Sequence, residues 1–433
     1  MNAKYSQAAR EIPVAAEVDV LVAGGGPGGL GAAVAAARAG AKTLLVESQG
    51  CLGGQSTGAL VVTWSNSWRG GLYGEICAEL HSRGAITGPN SGGVDVETTK
   101  RLFDRLVIEA GAEVIFNTMA TEPILEDGAV SGAIIESKSG REAVFAKRVI
   151  DATGDADLAA RAGCPYEKGR SADGRLQPCS LMFRMAGVDK TLAPEVHSFE
   201  SFVPFPNGNA QELAERWSDR GDLPEHVRHT LIYYLPNPGE VMINMSNIPG
   251  IDATDARQAT RAYIELRKQV PTIATFLKAE VPGFADAYVV DSGWLLGVRE
   301  TRRITGEYQL TKNDVISGRR FEDGIGQAFF AVDIHDVKGN RGTTVEKPAR
   351  HYEIPYRCLV PRGVENLLVA GRPISATHEA HASLRVIPIC IGIGQAAGTA
   401  AAMSLGEAKT PRQIDGRKLR ERLASLGVRF DDA

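Results

Sequence analysis

Three glycines near the N-terminus have the spacing of a phosphate-binding turn. Residues 24–29 read Gly-Gly-Gly-Pro-Gly-Gly, which contains a GxGxxG pattern. The apolar run 18–23 precedes the pattern, and the alanine-rich run 28–39 follows it. Between a strand and a helix, glycines let the backbone approach a pyrophosphate, while the helix N-terminus supplies amide donors and a favourable dipole. We therefore expect the phosphates of a dinucleotide to contact Gly24, Gly26, Pro27, Gly28 and Gly29.

An acidic residue ends the next predicted strand. Glu47 follows the run 42–46 and lies about 20 residues after Gly26, the spacing expected for a residue that binds a ribose. A carboxylate at this place accepts hydrogen bonds from both ribose hydroxyls and repels a 2′-phosphate. We expect Glu47 and the adjacent Ser48 to bind the ribose. The alternative is a glycine-rich turn with a structural role only, and these features do not choose between FAD and NAD.

Three later segments do choose between the two dinucleotides. Residues 50–57 read Gly-Cys-Leu-Gly-Gly-Gln-Ser-Thr, and residues 149–157 read Val-Ile-Asp-Ala-Thr-Gly-Asp-Ala-Asp. Residues 366–372 read Asn-Leu-Leu-Val-Ala-Gly-Arg and are followed by Arg385 and Pro388. Together with the glycine turn, this sequence resembles the FAD-dependent oxidoreductase family that is distantly related to the fumarate reductase and succinate dehydrogenase flavoproteins. The resemblance covers most of the chain.

The resemblance implies FAD as the cofactor and gives each segment a role. Residues 53–57 would pass beside the isoalloxazine and the pyrophosphate, and backbone near Ala120 would meet the adenine. A helix that starts near Pro388 would direct its free amides at flavin N1 and O2, where reduced flavin carries negative charge. The FAD contacts implied in this way are Gly53, Gly54, Gln55, Ser56, Thr57, Ala120, Ala152, Thr153, Gly154, Gly371, Arg372, Pro388 and Ile389.

Covalent attachment of the flavin through a histidine is not expected from these residues, whereas the sequence does not decide between covalent and non-covalent flavin in general. Succinate dehydrogenase-type flavoproteins often attach FAD through a histidine in the segment that matches residues 53–57, and this chain has no histidine there. Cys51 is a candidate for a covalent or redox-active thiol, although a buried structural cysteine is the stronger interpretation.

Arginines in the second half of the chain are candidates for binding a substrate. Arg299, Arg302 and Arg303 fall within a few residues of one another, and a guanidinium suits a carboxylate. An ion-pair network with Glu300 and Glu307 is an equally good interpretation of the same segment. The sequence alone leaves both readings open.

Histidines further along the chain are candidates for proton transfer. His335 lies between two aspartates, which are expected to raise its basicity. His378 and Arg385 lie on the stretch that should run under the flavin. Each residue alone is more simply a hydrogen-bonded packing residue, whereas the set is a plausible site. We predict that the residues that approach the flavin or the space in front of it are Arg302, His335, His378 and Arg385, with Arg302 binding an anionic group and a histidine accepting a proton.

The elements that must position these residues follow from the apolar patterning. The runs 18–23, 28–39 and 42–46 predict a βαβ unit, and strand-like runs continue to about residue 151. Seven prolines at irregular spacing between residues 194 and 249 mark a region of different texture. We predict an α/β fold with a Rossmann-like FAD-binding domain of the two-dinucleotide-binding-domain flavoprotein type and an inserted α+β substrate domain.

The boundaries of these domains follow from where the nucleotide-binding sequence patterns stop and where they resume. The nucleotide-binding patterns end near residue 163 and resume with a short apolar strand at residues 366–370. We assign residues 1–165 and 351–433 to a discontinuous FAD-binding domain. Residues 166–350 are assigned to the substrate or cap domain.

Composition excludes several classes of partner. The formal net charge of −4 provides no global basic field that would collect nucleic acid or an anionic membrane. The six cysteines have no CxxC spacing, so we expect no metal cluster and no disulfide framework, and a cytoplasmic location fits. No signal peptide is evident in the first sixteen residues. The apolar run 386–405 contains Pro388 and three glycines and is expected to be a buried helix rather than a membrane span.

The leading functional interpretation is a dehydrogenase or reductase. Hydride would pass between a small organic substrate, anionic if the arginines bind it, and flavin N5. The chain has one dinucleotide fingerprint, so electrons would leave to oxygen, a quinone or a separate electron-transfer partner, or arrive from a diffusing donor. A flavin-dependent monooxygenase that uses a diffusing NAD(P)H donor is the first alternative. An electron-carrier flavoprotein subunit is the second, although such subunits usually bring iron–sulfur cysteine clusters. The sequence assigns no oligomeric state.

Overall fold

The N-terminal elements form the predicted βαβ unit and extend it. The structure is a computed structural model that describes residues 5, 8–197, 204–205, 207–336 and 343–430. The elements up to residue 165 are β1 (Val14–Ala23), α1 (Pro27–Arg38), β2 (Thr43–Val46), β3 (Thr63–Trp64), α2 (Gly71–Ser82), β4 (Gly92–Gly93), α3 (Val96–Glu109), β5 (Glu113–Ile115), β6 (Met119–Glu126), β7 (Ala129–Ser137), β8 (Gly140–Asp151) and α4 (Asp157–Arg161).

The middle of the chain builds a second sheet and a set of short hairpins. Its elements are β9 (Tyr166–Lys168), β10 (Phe183–Ala186), β11 (Pro204–Phe205), β12 (Gly208–Asn209), α5 (Ala210–Asp219), β13 (Ile232–Tyr234), β14 (Val241–Ile243), α6 (Ala256–Glu280), β15 (Tyr288–Ser292), β16 (Arg302–Ile304), α7 (Lys312–Ile316), β17 (Gly324–Ala328), β18 (Val332–His335), β19 (Thr343–Glu346) and β20 (Tyr352–Pro355). The second sheet is antiparallel and has the order β13-β14-β10-β15. Buried side chains of α6 pack in one apolar cluster with those of this sheet.

The C-terminal elements return to the first sheet. They are β21 (Leu367–Val369), α8 (His378–Leu384), α9 (Ile387–Gly406) and α10 (Gly416–Ser425). The first sheet has the order β5-β2-β1-β8-β7-β6, and β21 also pairs with β8. The long strand β8 pairs with two strands along the same edge. Strand β7 pairs antiparallel with its first half, and β21 pairs parallel with its last three residues. This mixed α/β sheet with a parallel core confirms the predicted fold class.

Helices α1 and α9 touch backbone to backbone. A Cβ atom at Gly394 would lie 2.0 Å from the carbonyl oxygen of Gly28, and one at Gly398 would lie 2.1 Å from that of Ala32. Glycine is therefore required at both positions for the helices to approach so closely. In the described part of the chain, α9 is the one helix long and apolar enough to cross a membrane, but 78% of its apolar window is buried inside the fold. Helix α9 is therefore a core helix, and its packing on α1 brings the N-termini of the two helices to the same side of the fold.

Two clusters of buried apolar side chains divide the molecule. One cluster is drawn from residues 179–296 and includes the second sheet and α6. The other contains the first sheet, and it also contains most buried apolar residues between 304 and 360. We call residues 179–296 the cap region. The predicted domain boundaries at residues 165 and 350 stay a prediction.

Candidate active site

A cavity of about 780 Å³ lies where the parallel strands end and the cap region begins. One wall consists of the turns that follow β1, β8 and β21, at residues 24–28, 152–155 and 370–372. Because the carboxyl ends of parallel strands meet at one edge of a sheet, three segments distant in sequence converge there. The opposite wall comes from the cap region and from β18, and includes Tyr233 and His335. We call this space the main cavity.

The glycine turn after β1 has the shape of a phosphate cradle. A Cβ atom at Gly29 would lie 1.7 Å from the carbonyl oxygen of Gly24, and Gly24 itself has φ +98°. A Cβ atom at Gly26 would meet no protein atom within 4 Å, because Gly26 faces the cavity. Gly26 is also the N-cap of α1 and provides no side-chain cap. The turn thus leaves room and a helix N-terminus for an anionic group such as a pyrophosphate.

Glu47 lies at the cavity wall and is fixed by the turns around it. Its carboxylate is 6% exposed. Oε2 accepts a hydrogen bond of 2.5 Å from the amide of Gly25, and Oε1 accepts one of 2.7 Å from the amide of Gln49 and one of 3.0 Å from Ser48 Oγ. The carboxylate therefore positions the glycine turn as well as facing the space expected for the ribose.

Most of the predicted FAD contacts line the main cavity. Ser56 and Thr57 do not line it. Ser56 Oγ and Thr57 Oγ1 donate hydrogen bonds of 2.8 and 2.7 Å to backbone carbonyls of their own turn and so stabilise that turn. Gly29, Gly53 and Ile389 also lie outside the lining. Those that line it are Gly24, Gly26, Pro27, Gly28, Glu47, Ser48, Gly54, Gln55, Ala120, Ala152, Thr153, Gly154, Gly371, Arg372 and Pro388. Their individual contacts to FAD stay a prediction.

A second helix N-terminus faces the same space. Val386 is the N-cap of α9 and gives no side-chain cap, and Pro388 lies in the first turn. Both residues line the cavity. Nearby, Arg372 donates a hydrogen bond of 2.6 Å to Asp155, while its buried Nη1 has no partner among the described residues. Uncapped amides and a spare guanidinium donor suit the oxygen-rich parts of a flavin dinucleotide.

A charged cluster also lines the main cavity. Arg299 and Arg385 both line the cavity, and Arg299 is 9% exposed. Asp333 Oδ2 lies 3.6 Å from Arg385 Nη2 and 3.4 Å from His335 Nε2. Arg299 donates a hydrogen bond of 2.7 Å to the carbonyl of Pro178 and makes no ion pair with a described residue. Two buried guanidinium groups therefore face the cavity with one carboxylate close to them.

Burial controls the protonation of this cluster. Burial and the nearby charge of Arg299 lower the pKa of His335 to about 4, even though Asp333 acts in the other direction. The expectation that flanking aspartates raise the basicity of His335 is therefore wrong, because desolvation of the imidazolium outweighs the attraction of one carboxylate. Burial also lowers the pKa of Arg299 to about 10. The pKa of Asp333 is below its ordinary value, because the charges of His335, Arg385 and Arg299 outweigh its burial.

The structure does not bring Arg302 and His378 to the main cavity. Arg302 donates a hydrogen bond of 2.9 Å to Asp157, and its guanidinium lies over the ring of Tyr166. His378 Nδ1 lies 2.9 Å from Glu300 Oε1, and neither His378 nor Arg302 is part of the lining. Both side chains are held by acids on neighbouring segments. Of the four predicted catalytic residues, His335 and Arg385 face the cavity.

The arginine-rich segment is partly a structural network. Arg303 is 2% exposed, forms a short ion pair with Glu300 and donates to the carbonyls of Ala376 and Gly169. Glu307 pairs with Arg412. Of the predicted network with Glu300 and Glu307, the structure contains the pair Arg303–Glu300, while Arg302 pairs with Asp157 and Arg299 faces the cavity.

Several polar residues of the wall gave no sequence signal of their own. Tyr233 and Asn244 line the cavity from the cap region, and Asn244 Oδ1 is buried without a hydrogen-bond partner among the described residues. The ring of His229 lies 6.5 Å from that of His335, and burial lowers the pKa of His229 to about 3. Tyr233 lies in β13, His229 lies in the segment before β13, and Asn244 directly follows β14, with no motif around any of them. Only the pairing of β13 with β14 places them together.

Cys51 shows no sign of thiol reactivity. It is half-buried, with Sγ 3.9 Å from Thr57 Oγ1. Burial raises the pKa of its thiol, so the nucleophilic thiolate is disfavoured.

The fold and the cavity define a class of protein: a dinucleotide-binding α/β protein whose nucleotide site opens onto a second, buried polar wall. A family profile described as "FAD dependent oxidoreductase" matches residues 19–423, so the chain belongs to the FAD-dependent oxidoreductase family. The protein is an enzyme, and its cofactor is FAD.

Curated relatives match the chain in part. A digeranylgeranylglycerophospholipid reductase of Methanoculleus marisnigri is 33% identical over 170 residues, which are 34% of this chain and 41% of the relative. A thiamine thiazole synthase of Methanococcus aeolicus is 33% identical over 165 residues, 33% of this chain and 57% of the relative. The chain thus spans less than two thirds of the curated relatives it matches.

Solved structures match nearly the whole chain at low identity. A geranylgeranyl bacteriochlorophyll reductase-like protein from Thermoplasma acidophilum is 16% identical, with 95% of this chain and 83% of that chain covered and a TM-score of 0.47. A p-nitrophenol 4-monooxygenase from Pseudomonas putida is 13% identical, with 94% and 84% covered and a TM-score of 0.47.

Proposed function

We propose that this FAD-dependent enzyme transfers hydride between flavin N5 and a small organic substrate that carries an anionic group. The observation that carries the proposal is the pair of buried arginines, Arg299 and Arg385, in the main cavity. Asp333 is the one described carboxylate within ion-pair distance of either guanidinium. The pair therefore has an excess of positive charge in a site largely removed from water, where an anion is bound more strongly than at the surface.

Each residue of this wall has a part in positioning the substrate. A guanidinium presents a planar set of donors that matches a carboxylate or phosphate with two parallel hydrogen bonds. Bound FAD supplies the hydride chemistry. The substrate carbon must be held at about 3–3.5 Å from the reacting atom, which two fixed arginines can achieve. Asp333 holds Arg385 through its backbone oxygen, at 3.2 Å, and through its carboxylate.

His335 is the proposed proton acceptor. Its lowered pKa keeps the imidazole neutral at physiological pH, so a ring nitrogen can take a proton from the substrate. Asp333 Oδ2, 3.4 Å from Nε2, orients the ring and stabilises the imidazolium once it forms. The electron acceptor or donor outside the protein is proposed to be oxygen, a quinone or a separate electron-transfer partner.

The test is to mix the purified holoenzyme with a panel of substrates and to monitor the reaction by the bleaching of the flavin absorbance. Hydroxy, amino and unsaturated carboxylic acids are compared with their amides and esters, which keep the reacting carbon and lose the charge. We expect Arg299→Gln to lower kcat/KM for the best acid by about 10²-fold or more and to leave FAD bound, since removing one partner of a buried charge pair costs about 2–5 kcal/mol.

Arg302→Gln is the matched control, because Arg302 lies on the same segment as Arg299 but does not line the cavity and is paired with Asp157. Arg302→Gln should change kcat/KM far less than Arg299→Gln does. If amides are reduced or oxidised as well as acids, or if both variants behave alike, the anionic-substrate proposal is wrong. Oxygen consumption driven by NAD(P)H with a hydroxylated product would instead identify a monooxygenase.

A further inference from the structure

A second cavity, of about 790 Å³, lies along the C-terminal half of α1. Its walls also include the start of α2, two side chains of α9 and the segment that follows α10. Asn66 lines both this space and the main cavity, so the two abut. None of the residues predicted to bind FAD or to act in catalysis lines it. We call it the second cavity.

The second cavity is electropositive. Four arginines and one glutamate line it. Arg38 makes two hydrogen bonds of 2.7 Å with Glu75, so these charges offset each other. Arg422 and Arg429 make no side-chain ion pair with a described residue. In a protein with a formal net charge of −4, this local excess of positive charge would attract an anion.

A buried donor without a partner lines the same cavity. Trp68 is 1% exposed, and its Nε1 has no hydrogen-bond acceptor among the described residues. The ring is held tightly, because Cβ atoms at Gly326 and Gly392 would lie 2.2 and 2.0 Å from its atoms. A buried N–H left without an acceptor costs about 1–3 kcal/mol. An acceptor oxygen on a ligand in this cavity would remove that cost.

The start of α2 borders the second cavity and packs closely on other parts of the protein: a Cβ atom at Gly70 would lie 2.2 Å from the carbonyl oxygen of Gly427, and one at Gly71 would lie 2.4 Å from Gln395 Oε1. Gly70 and Gly71 have φ of +72° and +58°, a conformation that favours glycine, and both line the cavity. A Cβ atom at Gly74, one turn into the helix, would meet nothing within 4 Å. Gln395 accepts a hydrogen bond of 2.9 Å from the amide of Leu72, which fixes the helix start against α9. The positive end of the helix dipole therefore faces the arginine-lined space.

We propose that the second cavity binds a phosphorylated organic ligand of nucleotide size. Its volume falls in the range of sites for small molecules, about 300–1,000 Å³. Arginine is suited to phosphate, and the orphan Trp68 Nε1–H adds a neutral donor. Apolar contact for the rest of the ligand comes from Val34, Leu72 and Leu426, of which Leu426 is 41% exposed. The inference does not depend on the reaction proposed for the main cavity.

Binding is measured on the FAD-loaded protein without substrate, by isothermal titration calorimetry with inorganic pyrophosphate, ADP and NADP⁺ as separate probes. We expect at least one of the two nucleotides to bind. In Arg422→Gln/Arg429→Gln the affinity should fall by about tenfold or more, because charge-assisted hydrogen bonds to phosphate are lost. The control is Arg417→Gln/Lys418→Gln, which removes the same charge from α10 at two exposed residues outside the cavity.

The probes separate the sources of a phosphorylated ligand. Equal binding of ADP and NADP⁺ indicates an adenine nucleotide effector, while binding of NADP⁺ alone indicates a redox dinucleotide. Trp68→Phe, which keeps the ring and removes the donor, should weaken the same probe without changing the flavin spectrum. Absence of nucleotide binding at millimolar concentration, or equal affinity in the cavity and control variants, overturns the proposal.

Discussion

Gly26 and Gly29 belong to the same motif but meet opposite surroundings. Gly26 has φ −65° and ψ −176°, which any residue adopts, and a Cβ there would point into the main cavity. A Cβ at Gly29 would collide with the carbonyl oxygen of Gly24. One glycine is therefore needed for the ligand and the other for the fold.

This difference gives a paired prediction. Gly26→Ala should leave the free energy of unfolding of the apoprotein within about 0.5 kcal/mol of wild type and weaken FAD binding, because the methyl group occupies ligand space. Gly29→Ala should lower the free energy of unfolding by about 1–3 kcal/mol or more, since backbone must move. Chemical denaturation of the apoproteins and FAD titration measure the two effects. Equal loss of apoprotein stability in both variants would contradict the assignment.

Two histidines whose pKa values are lowered by burial, His335 and His229, predict a pH dependence of stability. The pKa of His335 is about 4 in the folded protein and near 6.5 when unfolded. Between these values the unfolded chain binds more protons, so the free energy of unfolding should increase with pH across this window and decline as pH falls through 4. His335→Gln should make the dependence shallower but not flat, because His229, with a pKa of about 3, contributes in the same direction.

Urea denaturation of the holoenzyme at a series of pH values checks this. The control variant is His81→Gln, an exposed histidine at the end of α2, which should leave the dependence unchanged. A slope identical in wild type and His335→Gln would show that His335 is not buried in its neutral form.

At the scale of single residues, most of the residues predicted to bind FAD line the main cavity, as do two of the four predicted to act in catalysis. The glycine turn and Glu47 could be predicted because their roles depend on neighbours within one βαβ unit. Arg299 and Arg302 are three residues apart and alike in type, and the choice between them depends on Asp157, which is distant in sequence. His335 lines the cavity, but its basicity depends on desolvation, which only the packed structure shows.

Helix α9 links the fold to the site at the scale of elements. Its glycines set the distance to α1, and that distance sets where both N-termini meet the main cavity. A methyl group at Gly398 must displace one helix from the other, because the nearest atom is the backbone oxygen of Ala32. The same helix ends at Gly406, where an added Cβ would meet nothing within 4 Å.

We therefore expect Gly398→Ala to lower the free energy of unfolding by about 1–3 kcal/mol and to weaken FAD binding. Gly406→Ala should be neutral or stabilising, since alanine has the higher helix propensity by up to about 1 kcal/mol. Both are measured by denaturation of the apoprotein and by FAD titration. A Gly398 variant as stable as the Gly406 variant would mean that the helices are not in backbone contact.

The elements with strong periodicity were predicted to within a few residues. The predicted helix at residues 28–39 is Pro27–Arg38, and the predicted strand at 42–46 is Thr43–Val46. The sequence could not show that β8 pairs with both β7 and β21, because each pairing involves residues that no local pattern connects. Nor could it show the short strands of the cap region, where β10 pairs with β15 more than a hundred residues away.

At the scale of the whole molecule, two apolar clusters meet around one cavity. The first cluster carries the glycine turn, Glu47 and the N-terminus of α9, while the cap region supplies Tyr233 and Asn244. The cap core therefore supports part of the cavity wall, whereas His335 and Arg385 lie in segments that pack with the first cluster. Between residues 304 and 360 the chain packs with the first cluster, which makes the cap core smaller than the predicted domain of residues 166–350.

A large-to-small substitution in the cap core tests this division. Ile273 on α6 is fully buried in the cap cluster. Ile273→Ala should lower the free energy of unfolding of the cap region by about 2–5 kcal/mol. We expect FAD affinity of the folded protein to stay within about twofold of wild type, because the predicted FAD contacts all come from the other cluster, whereas KM for the substrate rises as the cap loosens. Ile150→Ala, a fully buried residue of β8 in the first cluster, is the counterpart and should weaken FAD binding as well as stability. FAD titration and steady-state kinetics, both below the melting temperature, measure FAD affinity and KM. Thermal melts measure the stability of each variant. Loss of FAD affinity in Ile273→Ala as large as in Ile150→Ala would show that the two cores act as one unit.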